Sequence, residues 1–354
     1  MKKKMLVLAL AGIMAISTLT GCKSIKTVDS EEVLMTVNGE EVTAGIANFY
    51  ARYTQAQYET YYGAYMGDNM WATEAEEGVT YEEYVKDTVL EMVQIMVLSE
   101  QHMGDYGVEL SDKDKAFVAK AAQEFSDANS QENKEKVSGD DATVERFMTL
   151  QAITTRVQQA IADTVDKEVA DDEAAQKKME YVFFSYDGTT DEEGNEVELT
   201  DDEKAALKEQ AQAIADAVEA GEDFAKAAEA QDVTVNEFTF DSETTTIDPE
   251  IITVADGLKE GEYSGVVDTA SGVYVAKLVS LLDREATETK KEQIVAQRQS
   301  DEYVAVCDKW IADAKIEVKE DVWANVDFNE LTVSMIQDET AAYADEIVTD
   351  DVAE

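Results

Sequence analysis

Segment 271–278, Ser-Gly-Val-Tyr-Val-Ala-Lys-Leu, alternates as a strand entered through Gly272. Val273 and Val275 take one face, and Tyr274, Ala276 and Leu278 take the other. Nothing in it titrates near pH 7, so its chemistry is that of a phenol that can donate a hydrogen bond. Imidazoles and thiols are scarce elsewhere. The only histidine, His102, falls on the late turn of a predicted helix and reads as an amphipathic-surface residue. Of the two cysteines, Cys307 lies in an apolar helical stripe and reads as a core thiol. Cys22 closes the run Leu19-Thr20-Gly21-Cys22.

That run follows Lys2, Lys3 and Lys4 and an apolar stretch over 5–16 that is too short to span a bilayer. Segment 1–21 therefore reads as a signal peptide. Leu-Thr-Gly-Cys resembles the lipobox of bacterial lipoproteins, in which the thiol is acylated and the chain is cut before it. The alternative is an ordinary signal peptide with a fortuitous cysteine. Each acyl methylene buried in a membrane contributes ~0.8 kcal/mol, so two or more chains on Cys22 would hold the protein there. Residues 22–32 then form a lipidated tether, and the expected location is extracytoplasmic, lipid-anchored to the bacterial cell membrane. Acylated Cys22 leaves Cys307 without an intramolecular disulfide partner, so the fold must stand on packing.

With 354 residues, 44% of them apolar, the chain can furnish a real core and two domains. Its formal charge is −49, and loss of the three leader lysines would take it to about −52. Such an excess argues against nucleic acid and anionic membrane surfaces as partners. It keeps an extracytoplasmic protein soluble; a sharper reading is attraction for cationic clients or Ca²⁺. Segment 187–203 is rich in carboxylates but lacks the ligand order of an EF-hand, and no metal site or cofactor is assigned.

The elements fall into blocks. Segment 35–42 reads as two short strands about an Asn38-Gly39 turn. Segment 43–165 reads as wholly helical: a helix opened by Thr43 with Ile46, Phe49, Tyr50 and Tyr53 on one stripe, a second behind a Thr80/Glu83 capping box, a third from Ser111 with Phe117, Ala121 and Phe125, and a fourth through Val144, Phe147 and Val157. At residue 179 the period changes to that of strands. Strand, helices, strand, helix and two strands follow, a compact α+β domain. Segment 286–314 returns to helix, with Tyr303, Cys307, Trp310 and Ile311 on one stripe, and from 338 onward there are seven acids and no base.

Two motifs carry a family resemblance. Gly-Glu-Asp-Phe-Ala-Lys-Ala-Ala at 221–228, and the run from Leu258-Lys-Glu-Gly-Glu-Tyr-Ser through Ser-Gly-Val-Tyr-Val-Ala-Lys-Leu at 271–278, are similar to the parvulin (PpiC-like) peptidyl-prolyl cis/trans isomerases over 179–283. The lipobox, Val37-Asn38-Gly39-Glu40 before a helical block, and one late helix resemble the PrsA-like foldase lipoproteins and SurA-like chaperones. The resemblance implies a discontinuous all-α chaperone module with an inserted parvulin-like βαααβαββ domain. Its expected boundaries are 33–172 for the N-terminal helical module, 175–285 for the parvulin-like domain, 286–316 for a C-terminal helix packing on the module, and 317–354 for an acidic tail.

Active parvulins place histidines on the first and last strands. The resemblance puts Tyr181 and Tyr274 at those positions, with Asp232 as a loose third candidate, and 234–247 replaces the family's Gly-Gly-x-Leu-Gly segment. Phe183, Phe238, Phe240 and Tyr274 are the candidates for holding peptide. The expected function is a membrane-anchored extracytoplasmic foldase or chaperone for unfolded or partly folded exported polypeptides, with isomerase activity weak or absent; a homodimer is admitted. Two phenols could instead preserve an isomerase network, since twisting an amide needs only an apolar pocket and hydrogen-bond donors. A third reading, a solute-binding lipoprotein of a transporter, lacks the repeated α/β lobes it would need.

Overall fold

The computed structural model describes residues 15–20, 28–67, 69–190 and 196–336. Most of the leader, Cys22 and the acidic run from 338 lie outside the described residues. Two compact units divide the chain, one from 1–165 with 299–354 and one from 166–298.

The first unit begins with β1 (Ala15–Thr20), β2 (Val33–Val37) and β3 (Glu40–Thr43). β2 and β3 pair from Val37 opposite Glu40, leaving Asn38 and Gly39 as a two-residue turn. Both have positive φ, 53° and 87°, as the mirror-image turn of a twisted hairpin requires. α1 (Ala44–Met66) follows; Thr43 occupies its N-cap position without a side-chain cap bond. A small hairpin of β4 (Glu74–Glu76) and β5 (Val79–Thr80) interrupts the segment expected to be wholly helical. α2 (Tyr81–His102) then starts at the expected capping box, with Glu83 N–H on Thr80 Oγ1 at 3.2 Å and Thr80 N–H on Glu83 Oε2 at 2.9 Å. α3 (Asp112–Ala128), α4 (Gln131–Lys136) and α5 (Asp141–Ala162) complete this half. α3 buries Val118, Ala122 and Phe125 and leaves Phe117 only half-buried. Phe49 of α1 meets Phe125 and Phe147 edge-on, with centroids 5.1 and 5.3 Å away, which locks α1, α3 and α5 into one core.

The second unit runs α6 (Asp171–Ala174), β6 (Lys177–Ser185), the short pair β7 (Thr189–Thr190) and β8 (Glu196–Val197), α7 (Asp201–Glu219), α8 (Phe224–Glu229), β9 (Asn236–Phe240), α9 (Pro249–Asp256), β10 (Tyr263–Asp268) and β11 (Gly272–Ser280). Its antiparallel sheet has the order β10-β11-β6-β9. The expected βαααβαββ order is corrected to two helices, not three, between first and second long strands. Val182, Phe184, Val273 and Val275 pack under α7 and α8 on one face, and α9 covers part of the other.

α10 (Arg284–Asp313) is one continuous helix, but its residues up to Arg298 group with the second unit and those from Gln299 with the first. The expected 286–316 helix of the chaperone module is thus shortened at its front. Tyr303, Cys307 and Trp310 are buried in the core shared by α1, α2 and α5. β12 (Ile316–Val318) adds to β2, and α11 (Glu320–Trp323) and β13 (Leu331–Ile336) follow.

That last stretch corrects the expectation of a tail over 317–354. Val322, Trp323, Val326, Phe328, Leu331 and Val333 are all buried in the first unit. Arg52 shows how it is tied down: 3% exposed, its guanidinium donates to the Asp327 carbonyl at 3.0 Å and to Gln55 Oε1 at 2.7 Å. Burial lowers its pKa to about 10 despite the acids around it, so the charge persists at neutral pH. No described helix is long and apolar enough to cross a membrane.

Candidate functional site

Alternation along β6 and β11 sends Tyr181, Phe183 and Tyr274 to the same side of the sheet. Tyr274 stands directly opposite Phe183, and their rings stack at 4.4 Å with 27° between planes. Tyr181 lies diagonally from Tyr274 at 5.9 Å, and Phe238 of β9 meets Tyr181 edge-on at 6.4 Å. Tyr181, Phe183 and Phe238 are half-buried and keep part of their rings in solvent, with Ile247 beside them. Tyr274 is only 4% exposed and forms the floor. The structure thus brings Tyr181, Phe183, Phe238 and Tyr274 into one aromatic patch.

Two expected residues do not take part. Phe240, a candidate for holding peptide, is fully buried with Met179, Ile251 and Ala255, because it sits further along β9 beneath α9. Asp232 is exposed in a left-handed turn, φ 55°, just past α8. Its neighbours Val233 and Val235 pack into the cluster on the opposite face of the sheet, and none of its described bonds reaches the tyrosines. His102 belongs to the first unit; its ring stacks on Trp310 at 4.7 Å and its Nδ1 lies 2.8 Å from Asp105.

The residues that hold Tyr274 were not among the sequence candidates. Its hydroxyl lies within electrostatic reach of Asp248, the residue before Pro249 at the start of α9. Thr269 Oγ1 bonds the same carboxylate at 2.9 Å, and Ser271 Oγ bonds it too. Thr269 also receives the Gly272 N–H at 3.2 Å, so the β10–β11 turn and the carboxylate form one network. Burial foremost, and then the Asp248 carboxylate, push the Tyr274 phenol far above its ordinary pKa. Burial alone would raise Asp248 as well, but the hydroxyls of Ser271, Thr269 and Tyr274 outweigh it and hold the carboxyl below its ordinary value. The one signal for Asp248 in the sequence is its place before the only proline, where helices start.

A pH prediction follows. A carboxyl whose pKa is depressed by folding contributes stability that is fully present above its unfolded value of 3.8 and is lost as pH falls through the lower folded value. Acid melts of the second unit should therefore steepen below about pH 4, and Asp248→Asn should flatten that limb. An identical acid limb in the variant would remove the assignment.

Chemically, the patch offers rings and one phenol. The Tyr274 hydroxyl is buried beside Asp248, whereas no hydrogen bond of the Tyr181 hydroxyl appears among the described residues. Two polar hollows of about 400 and 730 Å³ lie elsewhere in the unit, around Asp241 and Lys290, and are lined by charged and amide groups rather than rings. Asp241 is held at about 2: burial would raise it, but bonds from Gln176, Lys290 and Thr244 outweigh that. Gln176 Nε2 at 2.8 Å and Lys290 Nζ at 2.9 Å meet the same oxygen of its carboxylate.

Residues 186–294 match the PPIC-type PPIASE domain family. The match includes Tyr274 and Asp248 and starts just after β6, which carries Tyr181. No curated protein sequence matches the chain. Among solved structures, it is similar to the foldase protein PrsA of Streptococcus pneumoniae at 17% identity, covering 73% of this chain and 99% of that one, TM-score 0.30. A SurA-like chaperone of Campylobacter jejuni is 12% identical, with 81% and 98% covered and TM-score 0.28. PrsA of Bacillus subtilis is 19% identical, with 73% and 98% covered and TM-score 0.23.

Proposed function

We propose that the protein is an extracytoplasmic foldase or chaperone, anchored to the membrane through lipid on Cys22, that engages unfolded exported polypeptides. In this reading the PPIC-type domain grips peptide more than it twists it, with Tyr181 and Tyr274 at the positions where active parvulins carry histidine. The observation that carries this is Tyr274. A phenol 4% exposed and set beside the Asp248 carboxylate is poorly placed to donate to a rotating amide, while the half-exposed rings around it still offer an apolar seat. The exposed Tyr61, Tyr62 and Tyr65 at the end of α1 support a role in promiscuous apolar contact.

Two assays test the reading. The mature protein should slow aggregation of a denatured secreted client, and no effect at several-fold molar excess would remove the chaperone claim. In a protease-coupled assay on proline peptides it should give little acceleration over solvent. A second reading, an active isomerase, rests on the Tyr181 hydroxyl, which is half-exposed and unengaged among the described residues. Robust turnover abolished by Tyr181→Phe would establish it instead.

A further inference from the structure

We propose that the channel between β13 and the pair Asn129 and Asn133 is a binding site for an extended polypeptide main chain. The leader strand β1 fills it until removed, and a client segment bearing an aliphatic side chain then takes its place. The client as occupant rests on the foldase reading, and vacancy rests on cleavage before Cys22.

β1 runs antiparallel to β13 through six pairs, from Ala15 opposite Ile336 to Thr20 opposite Leu331. The far edge of β13 is already occupied by α1: Val333 N–H donates to Glu59 Oε2 at 2.8 Å, Met335 N–H to Thr60 Oγ1 at 2.9 Å, and Gln55 donates to the Leu331 carbonyl. Main-chain groups alternate in direction along a strand, so Thr332, Ser334 and Ile336 turn theirs toward β1. The outer edge of β1 is met as well. Asn129 Oδ1 accepts the Ile16 N–H at 2.8 Å, and Asn133 Nδ2 donates to the Ile16 carbonyl at 2.9 Å.

Asn129 is itself 7% exposed, and its amide nitrogen is fixed on the Phe125 carbonyl at 2.8 Å, which aims the oxygen into the channel. The Ile16 side chain, 4% exposed, enters the core of the helical unit. The channel therefore reads one strand from both edges through its peptide groups and offers an aliphatic seat at the Ile16 position. Recognition of this kind is strand addition. It suits an unfolded chain, whose peptide groups are unpaired, and discriminates against folded partners, whose strands are already laddered. A segment destined for removal holds the seat, so the device also keeps the precursor from taking clients.

The test titrates a fluorescent, end-blocked hexapeptide, Ala-Ile-Ser-Thr-Leu-Thr, into the full chain and into the processed chain starting at residue 22 with Cys22→Ser. We expect saturable binding to the processed chain and binding at least about tenfold weaker to the full one. Asn129→Ala, or aspartate at the second peptide position, should each weaken binding by about tenfold. Equal affinity for both forms, or no binding to a processed chain that melts cooperatively, overturns the proposal. Should the processed chain fail to fold, the full chain with Ile16→Asp, whose leader cannot seat, must gain binding; absence of that gain overturns it too. Dimerisation that excludes the peptide overturns it in favour of a self-pairing edge. Binding by a chain that protects no client keeps the channel and discards the foldase reading, whereas protection unaffected by Asn129→Ala does the reverse.

Discussion

Replacing Phe328 by alanine is expected to destabilise the helical unit by about 3–5 kcal/mol, the cost of emptying a fully packed aromatic site. Phe328 is 1% exposed, meets Trp71 edge-on at 4.7 Å, and lies beneath the Arg52 guanidinium at 5.7 Å. Its main chain is held at both ends: its N–H donates to Glu82 Oε1 at 2.9 Å and its carbonyl accepts from Gln55 at 3.1 Å. The truncation would leave a cavity next to a buried charge, which adds to the loss. Urea unfolding followed by tryptophan fluorescence measures it directly, since Trp71 and Trp323 report on this core. A change below about 1 kcal/mol would mean that 317–336 adheres loosely, as the sequence alone suggested.

Gly272→Ala should have the second largest effect, about 1–3 kcal/mol on the parvulin-like unit from overpacking. The φ of Gly272 is not in the left-handed range; the restriction is space. A Cβ there would lie 2.3 Å from the Phe184 carbonyl oxygen and 2.4 Å from the Phe183 ring. The missing side chain is what lets Phe183 lie across β11 and stack on Tyr274. The variant should thus lose near-ultraviolet dichroism of the aromatic patch along with stability. Unchanged dichroism and an unchanged urea midpoint would show that the strands can spread without penalty.

The legible parts of the sequence were the local ones. The Asn38-Gly39 turn and the Thr80/Glu83 capping box are set by residues within four positions of one another, and both stand where the sequence put them. The resemblance put Tyr181 and Tyr274 on the first and last strands of the sheet, and their rings meet in one patch because those strands are neighbours. Long-range pairing was harder to read. Phe238 and Phe240 look alike along β9, yet the first keeps solvent contact and the second lies under α9. Asp248 is sixty-seven positions from Tyr181 and reaches Tyr274 only because α9 folds back over the sheet. In 317–336 the apolar residues Val322, Trp323, Val326 and Phe328 were in plain view, but the acidity that follows them masked their role as core.

Cys307 has a consequence for the protein's reactivity. Its thiol is fully buried, and desolvation pushes its pKa up to about 12 even with Tyr303 bonded to the sulfur. The thiolate is therefore scarce at pH 7, so oxidants and alkylating reagents find little to attack while the helices stay closed. The rate at which such a reagent modifies it becomes a clock for transient opening of the helical unit, legible one molecule at a time by mass spectrometry.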